Sequence, residues 1–146
     1  MNPRDFHQLA SKLAAGVNAA ELRTAVGRAY YAVYNVGVEI LTGMGFRINE
    51  GPGGHGDVQK RLHNSGDDEI KNVAAQLSTL HSNRRDADYR MYKKNVENEK
   101  TVQAIVKQAG EMIQTLDRCC FGSKRPQIIQ SIQEWERRVS GIISKG

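Results

Sequence analysis

The chain has 146 residues, of which 39% are hydrophobic and 25% charged, with three prolines. This length and composition fit one globular domain over residues 1–146 and exclude an extended disordered or fibrous chain. The formal net charge of +5 makes a nucleic-acid or other anionic partner easier to bind than it would be for a neutral protein. A basic surface that only contacts solvent explains the charge at least as well.

Two helices are predicted in the first third of the chain. Asn2 is placed to cap the first helix, with Pro3 at its first helical position, and apolar residues at three- and four-residue steps carry it to Gly16. Asn18 opens a capping-box pattern, and the clearest apolar periodicity of the sequence follows it. This periodicity predicts a second helix that runs to about Thr42, where glycines mark a loop.

The middle of the chain predicts a short helix followed by a long one. The short helix covers residues 55–63 and stops at an Asn-Ser-Gly turn. The long helix begins at Asp67 or Asp68, because carboxylates suit a helix N-terminus. It is expected to fade near residues 93–94, where two lysines follow each other.

Two further helices are predicted over residues 96–145. Asn95 is expected to cap the fifth helix, which runs to two adjacent cysteines. Pro126 fits the first position of the sixth helix, whose apolar face includes Trp135 and Ile143. No strand pattern competes, so we predict an all-α bundle of about five to six helices.

Metal, disulfide and membrane chemistry are not indicated. Cys119 and Cys120 are adjacent, which fits neither a disulfide framework nor a zinc site, so we expect two buried thiols in a reducing compartment. The four histidines have no metal-ligand spacing and no cofactor motif is present, so we predict neither a metal nor a cofactor. Without a signal peptide pattern or a membrane-spanning apolar run, a cytoplasmic protein with no membrane contact is expected.

Polar side chains line one strip of the predicted second helix. Arg28, Tyr31 and Asn35 are spaced by three and four residues, which places them on one face of the helix. They are candidates for a ligand-binding cleft. Alternatively, Arg28 is a partly buried cation that pairs with Asp88 of the fourth helix and only fixes the register of the two helices.

The fourth helix carries a second polar strip at three- and four-residue steps. It contains His81, Arg84, Arg85, Asp88 and Tyr89. Within it, Arg84 and Asp88 have the spacing of an ion pair along one helix face. Residues 82–94, which we call the aromatic–basic segment, hold five basic residues, two acids and two tyrosines. Single-stranded RNA binding uses cations beside exposed rings, whereas the alternative is a solvated face whose tyrosines pack inward.

Three segments together resemble the HEPN family of small, often RNA-directed bacterial and archaeal proteins. Residues 28–34 read Arg-Ala-Tyr-Tyr-Ala-Val-Tyr, which looks like the Arg-Ala-Tyr-Tyr-Ala-x-aromatic signature of one HEPN branch. Residues 55–58 are similar to that branch's His-Ser/Gly motif, and residues 84–89 to its Arg-x-x-Ala-Asp-Tyr motif. Their order and spacing agree with the family, and the resemblance covers residues 18–94.

The resemblance implies an up-and-down, HEPN-like helical bundle that forms a homodimer, with the motif helices near a cleft at or beside the dimer interface. It also implies a small nucleotidyltransferase as partner and a role in a toxin–antitoxin or defence system. The residues that we predict at the cleft are Arg28, Tyr31, Asn35, His55, His81, Arg84, Arg85, Asp88 and Tyr89.

One departure from the family shapes the functional prediction. RNase members carry an arginine followed, after four to six residues, by a histidine, and no arginine here has a histidine at that distance. We therefore predict a protein that binds nucleotide, RNA or a nucleotidyltransferase partner without the usual RNase motif. Two alternatives remain: a metal-independent endoribonuclease that uses Arg28, Arg84 and a displaced histidine, and a protein-interaction module that docks through Trp135.

Overall fold

Six α-helices and one 3₁₀ turn make up the secondary structure of the residues that the structure describes. The computed structural model describes the backbone of residues 1–145 and the side chains of residues 1–141. Within these residues there is no strand, which confirms the predicted all-α class. The helices are α1 (Asp5–Ala14), α2 (Ala19–Gly43), α3 (Gly54–His63), α4 (Asp68–Tyr89), α5 (Glu99–Cys120) and α6 (Arg125–Lys145), with the turn Asn95–Glu97 before α5. None of the described helices combines the length and apolarity that a membrane crossing requires.

Side-chain caps fix the starts of α2 and α4 where the sequence predicts them. The Asn18 side chain accepts the backbone N–H of Glu21 at 2.8 Å, and the Asp67 carboxylate accepts that of Ile70 at 3.0 Å. Each cap satisfies an N–H group that has no partner inside its helix. The two helices that carry the polar strips therefore begin at the predicted residues.

The starts of α1 and α5 differ from the prediction. The side chain of Asn2 accepts the N–H of Arg4 at 3.0 Å, but tighter turns precede the first α-helical residue, which is Asp5. The cap of α5 is Asn98 and not Asn95, because burial of Val96 in the 3₁₀ turn tightens the chain before α5 begins.

The second helix is the centre of the bundle and packs against α1, α3, α4 and α5. Its contact face is built from small and β-branched side chains such as Ala25, Ala29 and Val33, all fully buried, so that neighbouring helices approach closely. Large side chains from the surrounding helices complete this core. They include Leu62, Ile70, Leu77, Met112 and Leu116.

The third helix crosses α2 at two close contacts. A Cβ at Gly37 of α2 would lie 2.8 Å from a methyl of Val58. At Gly54, which starts α3, a Cβ would overlap the hydroxyl of Tyr34 and lie 2.5 Å from the carbonyl oxygen of Asn49. Both positions exclude larger residues, so α3 is held against the tyrosines of α2.

The last helix lies against α3 and α5. Ile128 and Ile132 are buried, and the Cζ atom of Arg61 lies 5.5 Å from the ring centroid of Trp135. Trp135 is thus half-buried. The predicted apolar position at Ile143 lies outside the residues whose side chains are described.

Cys119 and Cys120 end α5 as free thiols that are 4% and 1% exposed. Burial raises the pKa of Cys120 to about 12 and also raises that of Cys119, so neither thiolate forms readily near neutral pH. The prediction of two buried thiols is confirmed.

Candidate nucleic-acid interface

Two tyrosines of α2 and two histidines of α3 and α4 meet where these helices pack together. The rings of Tyr30 and Tyr34 stack with centroids 5.8 Å apart, and the imidazoles of His55 and His81 stack at 3.9 Å. A 2.9 Å hydrogen bond joins the Tyr30 hydroxyl to Nδ1 of His55, and the Tyr30 ring lies 5.1 Å from the ring of His81. We call these four side chains the tyrosine–histidine cluster.

Burial keeps this cluster uncharged. Desolvation, helped by the neighbouring imidazole of His81, lowers the pKa of His55 from 6.5 to about 4. Desolvation and then the positive charges of Arg85 and Arg84 lower the pKa of His81. Desolvation also raises the pKa of Tyr30 well above its ordinary range. Near neutral pH the imidazoles are therefore neutral, and a neutral imidazole nitrogen is able to accept a proton.

Arg84 extends from α4 to the edge of the cluster. Its Nε lies 2.9 Å from Oδ2 of Asp88, which confirms the predicted pair. The N–H group is not aligned with that oxygen, so the buried Nε has no hydrogen-bond partner. Its Cζ atom lies 5.9, 5.8 and 5.5 Å from the ring centroids of Tyr30, Tyr31 and Tyr89. Arg84 is thus surrounded more by rings than by acceptors.

The alternative in which Arg28 pairs with Asp88 is not realised among the described side chains. The carboxylate of Asp88 lies beside Gly27 of α2, where a Cβ would be 3.5 Å from Oδ1, but its ion pair stays within α4. The guanidinium of Arg28 lies instead near the rings of Tyr31 and of Phe6 on α1, with its Cζ 4.9 and 5.7 Å from their centroids. Arg28 therefore extends toward α1, which is why the cross-helix alternative is wrong.

Asn35 does not reach the cluster. Its amide nitrogen donates to the carbonyl oxygen of Tyr31 at 2.8 Å, one turn earlier in α2. It lines a shallow cleft with Pro3 and Phe6 near the start of the chain. Asn35 therefore lies away from the tyrosine–histidine cluster, on the side of α2 that faces the start of the chain.

The aromatic–basic segment presents its rings to solvent. Tyr89, Met91 and Tyr92 are 69%, 58% and 73% exposed, so the alternative in which the tyrosines pack inward is wrong. The Nζ atom of Lys93 lies 5.9 Å from the ring centroid of Tyr92, and Arg85 is exposed beside the cluster. Exposed rings and cations thus occupy one continuous stretch of chain.

Arg23 of α2 holds the backbone of this segment, a role that the sequence reasoning missed. Its side chain is 10% exposed and pairs with Glu97 at 3.0 Å. It also donates hydrogen bonds of 2.7 to 3.3 Å to the carbonyl oxygens of Asp86, Ala87, Arg90, Met91 and Lys93. The last carbonyls of a helix have no partner within it, and Arg23 supplies one.

This contact explains why α4 ends at Tyr89 and not near residues 93–94, as predicted. After Tyr89 the chain curves around the guanidinium of Arg23, which binds the carbonyl oxygens of Arg90, Met91 and Lys93. A signal for Arg23 is visible in retrospect, since it lies three residues before Val26 and seven before Tyr30, on the apolar stripe of α2. A charged residue on a buried stripe requires partners.

The predicted residues therefore fall into three groups. His55 and His81 lie in the cluster itself. Tyr31 and Arg84 both contact Tyr30 of the cluster, and they also contact each other. Arg85, Asp88 and Tyr89 lie at its exposed rim, while Arg28 faces α1 and Asn35 is apart. No family model, curated protein or solved structure matches the chain. The HEPN resemblance accordingly rests on the three sequence motifs.

The arrangement brings polar side chains and aromatic rings into contact. Among the described residues, no three potential metal ligands from histidine, cysteine or carboxylate side chains converge. A groove of about 600 Å³ between α1 and α5 is lined by His7, Lys107 and Glu111, away from the cluster. What the candidate interface provides is neutral imidazoles, guanidinium groups and exposed aromatic rings side by side.

Proposed function

We propose that the protein is a HEPN-type RNA-binding protein whose binding surface is the aromatic–basic segment. The observation that carries the proposal is the exposure of Tyr89 and Tyr92, each with a cation near its ring: Arg84 at 5.5 Å and Lys93 at 5.9 Å. Bases stack on exposed rings, and neighbouring cations hold the phosphates that link those bases.

The charge of the aromatic–basic segment favours RNA as its ligand. Both of its acids are already paired within the segment, Asp86 with Arg90 at 2.8 Å and Asp88 with Arg84 at 2.9 Å. Of the remaining cations, Lys94 lies 3.5 Å from Glu97, whereas Arg85 and Lys93 are exposed and available to phosphates. A strand of RNA needs both rings and unpaired cations, and the segment offers both.

The three motifs extend the proposal to the biological setting. On this reading the protein forms a homodimer, works with a nucleotidyltransferase partner and belongs to a toxin–antitoxin or defence system. Sedimentation of the purified protein tests the homodimer, because a monomer at micromolar concentration would contradict it.

Binding of a labelled single-stranded RNA over a salt series tests the main proposal. We expect affinity that falls steeply with salt. We also expect the Tyr89→Ala, Tyr92→Ala double variant to lose at least about 30-fold in affinity, because stacking contributes at least about 1 kcal/mol for each of the two bases. Fluorescence anisotropy measures both effects.

The matched control for this experiment is Phe121→Ala. Phe121 is also an exposed aromatic residue, at 58%, and it also lies near a guanidinium, that of Arg125 at 5.5 Å, but at the far end of α5. Its removal should leave RNA affinity unchanged. Absence of RNA binding even at low salt, or equal losses in the two variants, would overturn the proposal.

A second candidate function, metal-independent RNA cleavage, is favoured by the stacked imidazoles beside Arg84. A base for the RNA 2′-hydroxyl has to be neutral, and a guanidinium stabilises charge on the phosphate in the transition state. Since Nδ1 of His55 is engaged by Tyr30, His81 is the better base.

Incubation of total RNA with the protein in excess EDTA decides between binding and cleavage. If cleavage is the function, RNA is cut under these conditions, and His81→Ala and Arg84→Ala each remove most of the activity, whereas His63→Ala, on the exposed side of α3, does not. Intact RNA, or cleavage that the His81 and Arg84 variants retain, rejects this candidate.

A further inference from the structure

Arg28 is a half-buried arginine that has aromatic neighbours but no acceptor. Its Cζ atom lies 4.9 Å from the ring centroid of Tyr31 and 5.7 Å from that of Phe6. Among the described side chains, it has no carboxylate within 4 Å and makes no hydrogen bond. Contact with ring faces attracts a cation but occupies none of its five N–H donors, which remain open to water or to a ligand.

Other partly buried arginines of the chain are partnered, which makes Arg28 distinctive. Nε of Arg4 donates to Asp117 at 2.9 Å, and Nε of Arg61 donates to Glu136 at 2.9 Å. Such partners are the rule, because a cation removed from water without an acceptor is destabilising.

A second cation shares the same ring. The Cζ atom of Arg84 lies 5.8 Å from the centroid of Tyr31, and its buried Nε lacks a hydrogen-bond partner. Two guanidiniums therefore lie within 6 Å of the ring centroid of Tyr31, and Asp88 is the carboxylate paired to one of them. The two guanidiniums carry one positive charge more than Asp88 balances, and the donors of Arg28 are open to an anionic ligand.

A phosphate group matches this need better than a carboxylate does. Guanidinium forks bind phosphate oxygens in a bidentate manner, and two forks satisfy more oxygen atoms than one carboxylate has. A terminal phosphate carries a charge of about −1.5 to −2 near neutral pH, whereas a phosphodiester carries a single charge. Two arginines at one ring thus favour a phosphomonoester.

We propose that Arg28 and Arg84, at the ring of Tyr31, bind a phosphomonoester, either at the end of an RNA strand or on a mononucleotide. A phosphate at the end of an RNA strand rests on the proposed function. In that case Tyr89, which lies next to Arg84, and the rest of the aromatic–basic segment would hold the nucleotides that follow the phosphate. The phosphate site itself stands on the two arginines alone.

The experiment compares one short RNA sequence made with a 5′-phosphate, with a 3′-phosphate and with hydroxyls at both ends. We expect one of the two phosphates to raise affinity about 10-fold over the hydroxyl-ended strand. Arg28→Gln should abolish this preference while the affinity for the hydroxyl-ended strand stays within about 2-fold. Arg28→Lys should retain only part of the preference, because an ammonium cannot form the fork.

Arg47→Gln is the matched control, since Arg47 is an exposed arginine of the loop after α2 and its replacement removes the same charge. It should keep the preference, and far-UV circular dichroism verifies that each variant is folded. A nucleoside monophosphate, added as competitor, distinguishes the two sources of the phosphate.

Each outcome separates this inference from the proposed function. RNA that binds equally with and without a terminal phosphate, with no binding of the monophosphate, overturns the phosphate site but leaves RNA binding standing. Monophosphate binding that depends on Arg28, without any RNA binding, supports the site and overturns the proposed function. If neither ligand binds, both are wrong.

Discussion

Replacement of Arg23 by alanine should lower the free energy of unfolding by about 3 to 4 kcal/mol, an effect typical of breaking a buried, hydrogen-bonded charge cluster. The variant loses six hydrogen bonds. The carbonyl oxygens of Asp86 and Arg90 keep a backbone N–H donor, whereas those of Ala87, Met91 and Lys93 lose the donor that Arg23 supplies. Urea unfolding followed by circular dichroism measures the change. Hydrogen exchange should also show faster opening at the amides of Arg90 and Lys93, which lie in the segment that Arg23 holds.

Two variants make this prediction specific. Arg23→Lys keeps the charge but lacks the planar fork, so it should recover only part of the lost stability. Arg47→Ala removes an exposed arginine from a loop and should change stability by no more than about 0.5 kcal/mol. A loss below about 1 kcal/mol for Arg23→Ala would show that water replaces the guanidinium easily and that the contact does not hold the segment.

The contrast between Arg23 and Asn18 shows what the sequence makes visible. Helix starts such as Asn18 and Asp67 depend on residues three positions apart, and the repeat of apolar residues behind them depends only on helical geometry. Both are local and predictable. The partners of Arg23 lie 63 to 74 residues away along the chain, so only tertiary packing brings them together. The early end of α4 follows from that distant contact.

The candidate site was predictable to a similar degree. The spacing along α4 correctly places Arg84 beside Asp88, because the contact lies within one helix. The direction in which Arg28 leaves α2 is set by the position of Phe6 on α1, which no pattern within α2 contains. Tyr30 reads as a core residue and is one, at 6% exposure, but its hydrogen bond to His55 depends on how α3 crosses α2.

Acid should unfold the protein through the tyrosine–histidine cluster. The unfolded chain takes up a proton on His55 below about pH 6.5, whereas burial lowers the pKa of the folded imidazole to about 4. Between these values the unfolded state binds more protons, so stability is complete above about pH 6.5 and declines as the pH falls toward 4. We expect a loss of about 2 kcal/mol from His55, after allowance for the part of the ring that solvent screens.

The groups around His55 make its protonation unfavourable, and the His55→Asn variant tests this. His81 and Arg84 of α4 offer a proton acceptor and a positive charge, and Tyr30 and Tyr34 of α2 are rings without negative charge. None of these groups compensates an imidazolium. His55→Asn keeps an acceptor for the Tyr30 hydroxyl but cannot titrate.

Urea unfolding at about pH 7.5 and about pH 4.5 should therefore show a smaller loss of stability in His55→Asn than in the unmodified protein. His63→Asn, which replaces an exposed histidine on the same helix, should lose as much as the unmodified protein. The carboxylates titrate alike in all three proteins, so the difference between them isolates the imidazole. Equal losses in the two variants would mean that the folded protein accommodates a charged His55. That result would contradict the prediction that the stacked imidazoles of His55 and His81 stay neutral in the folded protein.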